Sequence, residues 1–189
     1  MRYLVLDFEA TTKNEGNQMQ EIIQFPIILL DETGDEIDSL NIYCNPQFTV
    51  LDTLCKKLTR ISRSKINRHG IPFHEALKQV ENWLRKHEIL GQDGNLLDAC
   101  WVTCGSWDLG YILPTQCEHY GIVYPPYFDE YVDIKKIFAD QYMTKVRNLE
   151  DMLTRLGLVF RGNPHDGYDD ASNISDILRV MVREGTMKT

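Results

Sequence analysis

Arg2-Tyr3-Leu4-Val5-Leu6-Asp7-Phe8-Glu9-Ala10 is a run that stays apolar until two acids interrupt its end. Such a run reads as a β-strand. Side chains two apart on a strand share a face, so Leu4, Leu6 and Phe8 are expected on one side of a sheet and Val5, Asp7 and Glu9 on the other. Two carboxylates forced onto one face repel each other unless a cation sits between them. Acids at a strand end are also often merely solvated, and Asp-x-Glu alone does not separate the two readings.

Beyond a polar loop at 12–20, apolar runs at 22–30 and 37–44 flank Asp31-Glu-Thr-Gly-Asp35, the composition of a hairpin turn, which makes three antiparallel strands. A short helix is expected over 49–58. Phe73, Leu77, Val80 and Leu84 recur at helical spacing and predict another over 72–87. Residues 99–104 read as a buried strand. A helix over 107–120 carries Asp108 in its first turn, ends at Gly121 and Pro125-Pro126, and precedes a short strand near Tyr131. Asn148 can cap a helix over 149–156 that Gly157 stops, and a last helix spans 169–183. Strands first, then strands alternating with helices, imply an α/β fold: a central mixed sheet, three antiparallel strands followed by parallel ones, flanked by helices. With 189 residues, 43% of them hydrophobic, and no linker or repeat, the chain reads as one domain over 1–189.

The net charge of −8 argues against coating nucleic acid through bulk electrostatics. Clustered carboxylates that bind cations would themselves contribute to that charge. Lys56, Lys57, Arg60, Arg63, Lys65 and Arg68 form a run without an acid between Asp52 and Glu75, either a phosphate track or a solvated face. Five cysteines, an odd number without a C-x-x-C pair, read as reduced thiols of an intracellular, cytoplasmic protein. Cys117 and His119 lack further ligands at zinc spacing. Apolar stretches such as 27–30 fall far short of the roughly 20 residues of a membrane span, and Met1 leads directly into the first strand, without an export signal.

Asp108 follows Cys104-Gly-Ser-Trp, where a buried strand turns into a helix, and the carboxyl ends of strands are where open α/β sheets build sites. Asp169 and Asp170 begin the last helix shortly after His165. Singly, each is an ordinary acid at a helix start. Together, Asp7-Phe-Glu-Ala-Thr11, Gly105-Ser-Trp-Asp108 and His165-Asp-Gly-Tyr-Asp-Asp-Ala171 resemble the three motifs of the DEDDh 3′-to-5′ exonucleases. Within them, Ile22-Ile-Gln-Phe-Pro26, Cys55-x-x-Leu-Thr-x-Ile61, Tyr124-Pro-Pro126, the Leu149-x-x-Met-Leu-x-x-Leu-Gly157 segment and Gly162-x-Pro-His165 are similar to the Eri-type exoribonucleases.

The resemblance implies an RNase H-like fold with the site at one edge of the sheet. It implies metal-dependent 3′-to-5′ hydrolysis of RNA to nucleoside 5′-monophosphates, with two divalent cations, Mg²⁺ or Mn²⁺. Asp7 would bridge them, Glu9 and Asp170 would complete one, Asp108 would support the site, and His165 would be the general base. Histidine exchanges its proton near neutral pH, whereas His69, His74, His87 and His119 read as surface or packing residues. Ala10, Thr11, Leu58, Thr59 and Trp107 would contact the 3′-terminal nucleotide, with Trp107 equally open to a core role. The implied partner is a single-stranded RNA 3′ end, with no membrane, in a monomer or homodimer. A DNA exonuclease and a non-catalytic RNA-binding module are the alternatives. Two positions depart from the pattern: Gln24 stands where Glu is usual, and Arg60 where Gly is usual.

Overall fold

The computed structural model describes residues 1–13 and 19–187; the polar loop expected over 12–20 therefore lies partly outside the described residues. The strands are β1 (Arg2–Val5), β2 (Glu9–Ala10), β3 (Ile22–Leu30), β4 (Glu36–Cys44), β5 (Gly70–Ile71), β6 (Ala99–Thr103) and β7 (Tyr131–Asp133). They form one mixed sheet in the order β5-β4-β3-β1-β6-β7, with β2 also on β3. As expected, β3 is antiparallel to its neighbours β1 and β4, and β6 and β7 extend the sheet in parallel from β1. The helices are α1 (Thr53–Thr59), α2 (Arg63–His69), α3 (Phe73–Lys86), α4 (Leu113–Tyr120), α5 (Ile134–Gln141), α6 (Leu149–Arg155) and α7 (Gly167–Arg183).

Period-two alternation along β1 sorts its side chains between two cores. Leu4, Leu6 and Phe8 pack with Phe25, Ile27, Leu29 and Trp101 beneath α3 and α4. Tyr3 and Val5 pack with Ile28, Leu30 and Val102 against α5, α6 and α7. Both layers exclude water from the strand that carries the acids, which is the dominant favourable contribution to folding.

Several elements differ from the sequence expectation. The helix expected from 49 begins at Thr53, because Asp52 stays extended and its carboxylate accepts the Cys55 N–H at 2.7 Å. Helices α2 and α5 and strand β5 were not foreseen; α2 exists because Ser62 caps the Lys65 N–H. The helix expected over 107–120 opens as a wide π-turn, Asp108–Ile112, before α4. The Asn148 cap of α6 is as expected. In the hairpin, Asp31 accepts the N–H groups of Thr33 and Asp35, and Gly34 at φ 83° passes against the α7 backbone at Arg179.

Glu21, fully buried before β3, fastens the segment between β4 and α1. Its carboxylate accepts the N–H groups of Gln47, Phe48 and Thr49, the Thr49 hydroxyl and the Tyr120 phenol. The Tyr120 phenol is pushed well above its ordinary range by burial and by this carboxylate. Replacing Glu21 by Ala strands these donors away from water and is expected to lower stability by about 3 kcal/mol. The corresponding fall in Tm is about 6–12 °C, read by calorimetry; a Tm unchanged within 2 °C would mean that water replaces the carboxylate at no cost.

Candidate active site

The register places Val5 opposite Ile28 and Glu9 opposite Gln24, so β1 and β2 are one strand whose ladder lapses where Asp7 faces Pro26. Proline has no N–H to give to a ladder. The Phe8 N–H, on the β6 side of the strand like the Leu6 N–H that bonds the Val102 carbonyl, donates to Asp108 Oδ1 at 2.7 Å. Asp108 arrives there because the chain reverses sharply after β6: Gly105 adopts φ 111°, its N–H donates to Asp133, and its carbonyl accepts the Thr103 hydroxyl. The wide turn that follows is a form frequent at functional sites.

Asp170 lies in the first turn of α7, whose cap is Asp166. The helix can come this close only because residue 167 is glycine: a Cβ there would stand 2.5 Å from the Asp7 carbonyl oxygen. Gln24 fastens the approach, its amide donating to Asp166 Oδ1 at 3.0 Å and accepting the Gly167 N–H at 3.1 Å. His165 stands before the helix at φ 64°, and its N–H donates to Asp170 Oδ2 at 2.8 Å. One ligand atom from each of Glu9, His165 and Asp170 lies within 4.8 Å of the others.

Burial first, then the charges of Asp108, Asp170 and Glu9, holds the Asp7 carboxyl well above the carboxylate range. Burial, reinforced by Asp170, Asp166 and Asp108, pushes Glu9 up to about 9. Burial raises Asp108 to about 7 against the opposing Phe8 N–H, and raises Asp170 to about 6 against the His165 N–H and charge. Among the described residues no lysine or arginine pairs with any of the four. Crowded oxygen donors without an internal cation fit hard divalent ions such as Mg²⁺ or Mn²⁺.

The structure thus brings Asp7, Glu9, Asp108, Asp170 and His165 together, and treats the expected substrate contacts unequally. Thr11 is fully buried, its hydroxyl occupied by the Glu21 N–H and the Thr49 hydroxyl. Thr59 is buried, donating to the Cys55 carbonyl and accepting the Ile61 N–H. Neither side chain is free for a sugar, because their positions are set by inward hydrogen bonds that strand and helix patterns do not reveal. Ala10 is partly exposed, and Leu58 and Trp107 are exposed, so Trp107 is not a core anchor. Residues 10–13 run between α1 and the Asp108 turn: Cys55 Sγ reaches the Ala10 carbonyl, Thr12 bonds Asp52, and Lys13 meets Tyr111.

The roles of Gln24, Asp166 and Gly167 in docking α7 were not read from the sequence. Gln24 carried a signal, being a polar residue inside an apolar strand run. Cys117 is buried while His119 packs on the Phe48 ring, so they build no zinc site among the described residues, and all five cysteines are free.

A mixed sheet with acids gathered where β1, the turn after β6 and α7 meet is the architecture of a nuclease domain. The exonuclease family model (RNase_T, Exonuclease) matches residues 4–178. The chain is 36% identical to human ERI1 exoribonuclease 3 over 187 residues, 97% of this chain and 54% of that protein. It superposes on the nuclease domain of 3′hExo, described as a DEDDh family member bound to rAMP, with TM-score 0.87 and 33% identity, covering 97% of this chain and 92% of that one. Cell-death related nuclease 4 (CRN-4) gives TM-score 0.85 at 28% identity, covering 97% of this chain and 64% of that one. The chain belongs to the exonuclease family, in its divalent-metal-dependent DEDDh group with the Eri-type domains. It spans about half the length of the curated relatives it matches.

Raised carboxyl pKa values have a signed consequence for stability. Unfolded carboxyls titrate near about 4, whereas Asp170, Asp108 and Glu9 titrate at about 6, 7 and 9 in the fold. The folded chain therefore holds more protons, and this contribution is full below pH of about 4 and lost as pH rises through about 6 to 9. Without divalent cations, Tm is expected to fall between about pH 5 and pH 8, with Mg²⁺ restoring it at the higher pH and doing little at the lower. Asp7→Asn relieves the repulsion, so the metal-free variant should melt above the parent at about pH 8; a lower Tm there would refute the electrostatic account.

Proposed function

We propose that this chain is a single-domain 3′-to-5′ exoribonuclease that removes nucleotides from single-stranded RNA 3′ ends as nucleoside 5′-monophosphates. The observation that carries this reading is the gathering of four carboxylates with no internal cation, beside a histidine held by one of them. Asp7, Glu9, Asp108 and Asp170 would hold two Mg²⁺ or Mn²⁺ ions. Bound ions of this kind polarise the phosphoryl group and stabilise charge on the attacking and departing oxygens.

The protein's own residues supply position and proton transfer. The His165 ring, exposed at the rim, takes a proton from the attacking water, the task of a general base. The water oxygen bonds to phosphorus and the P–O3′ bond breaks. Its electron pair stays on O3′, which is protonated from solvent and becomes the 3′-hydroxyl of the shortened strand. The phosphate leaves on the 5′-oxygen of the released nucleoside. Asp170 fixes His165 through the backbone N–H, so the base and a metal ligand move together. Leu58 and Trp107 offer exposed apolar surface to the terminal sugar and base. The relatives named exoribonucleases favour RNA over DNA as the polymer.

A 5′-labelled RNA should shorten in single-nucleotide steps with Mg²⁺ or Mn²⁺ and remain intact in excess chelator. It should also outcompete a DNA strand of the same sequence. His165→Ala is expected to lower kcat by about 10²–10⁴-fold while KM and Mg²⁺ affinity stay near the parent's. Full activity in chelator would sink the metal assignment, and an unchanged kcat in the variant would remove His165 from the chemistry.

A further inference from the structure

A cleft of about 370 Å³, within the roughly 300–1,000 Å³ range of ligand sites, opens from Asp7, His165 and Asp170. Its other walls come from Cys104 after β6, Lys135 at the start of α5, residues 147–150 before and within α6, and Phe160 and Pro164 before α7. None of its lining comes from α1 or residues 10–13. The carboxylate cluster therefore has two sides: one bounded by α1, residues 10–13 and the Asp108 turn, the other by this cleft.

The cleft has the chemistry that the carboxylate cluster lacks. The Lys135 ammonium donates to the Arg147 carbonyl at 3.2 Å and makes no ion pair with a carboxylate among the described residues. The Arg147 side chain is 86% exposed, and its single ion pair among the described residues, with Asp151, is long at 3.6 Å. A hydrogen-bonded ammonium and an exposed guanidinium thus stand beside apolar wall from Leu149, Phe160 and Pro164. Glu150 lines the same cleft, so its cations do not make it uniformly basic.

A strand that places its terminal nucleoside against Leu58 and Trp107 and its last phosphodiester over Asp7 meets this cleft on the side of Asp7 away from α1. We propose that the cleft is a subsite for the nucleotide immediately 5′ of the scissile bond. Lys135 and Arg147 take its 5′-phosphate, while Phe160 and Pro164 lie against its sugar and base. Contacts to phosphate and a ring face carry no base identity, so the subsite takes any nucleotide. This rests on the exonuclease reading above and assigns the direction in which the strand leaves. The run Lys56 to Arg68 on α1 and α2 offers the competing route.

Two substrates separate the routes and the readings. One is a 5′-labelled oligouridylate; the other is the p-nitrophenyl ester of uridine 5′-monophosphate, which presents a terminal nucleoside but no upstream nucleotide. For Arg147→Glu and Lys135→Ala, the ratio of kcat/KM on the oligonucleotide to kcat/KM on the ester should fall about tenfold, the loss of one charge-assisted phosphate contact. The change should lie mainly in KM, and Lys135→Arg should restore it. The slope of log KM against log salt should flatten by about 0.7 per lost contact. Arg147 is exposed, so its variant reads binding without risk to folding. Parent protein that hydrolyses both substrates while these variants keep its ratio overturns the subsite alone. A ratio that falls only when Lys57, Arg60 and Arg63 are changed together to Ala sends the strand over α1 and overturns it equally. A parent that hydrolyses neither substrate overturns the exonuclease reading, and the subsite with it.

Discussion

Mutual repulsion among the carboxyl groups of Asp7, Glu9, Asp108 and Asp170 is the constraint around which this molecule is built. Like charges brought together with little water between them interact strongly, because protein screens them poorly. Left to themselves, these side chains would separate or stay protonated. Backbone contacts hold them instead: the Phe8 N–H on Asp108, the His165 N–H on Asp170, and the Gly167 backbone against the Asp7 carbonyl. The two apolar layers on either face of β1 fix the strand to which all of these contacts refer.

The positions where the chain departs from the Eri-type pattern fit their surroundings. Gln24 is fully buried opposite Glu9, and its amide is at once donor to Asp166 and acceptor from Gly167. An amide does this without adding another acid to a crowded site. Arg60 occupies a left-handed backbone position, φ 57°, that closes α1, where glycine is the residue of lowest strain. Its N–H still bonds the Lys56 carbonyl, so the helix ends in the same way and Arg60 carries its positive charge on the surface.

Burial is unevenly distributed across the site. Glu9, Asp108 and Asp170 are buried and belong to the strand, the turn and the helix, whereas His165 is exposed on the segment before α7. A non-glycine residue at positive φ stores strain that the surrounding structure must hold, here through the bond to Asp170. Metal-binding groups gain from fixed geometry, and a proton-transfer group at the rim gains from access to solvent.

The sequence by itself determined what depends on local period and local capping. Alternation over residues 2–10 put Asp7 and Glu9 on one face, the hairpin composition paired β3 with β4, and Asn148 marked the start of α6. The motif residues named the five groups of the site. Tertiary structure alone decided how those groups meet. Phe8 finds Asp108 a hundred residues away, and Gln24 finds Asp166 across 142; such pairings follow from strand order, which no local pattern encodes. The same holds for Thr11 and Thr59, whose hydroxyls turn inward to partners on other segments or on their own helix, and for Lys135 and Arg147, which line one cleft only once α5 and α6 have packed on the sheet. Periodicity reports which face of an element is buried, whereas hydrogen bonds and packing between distant segments report against what, and the site is made of the second kind of contact.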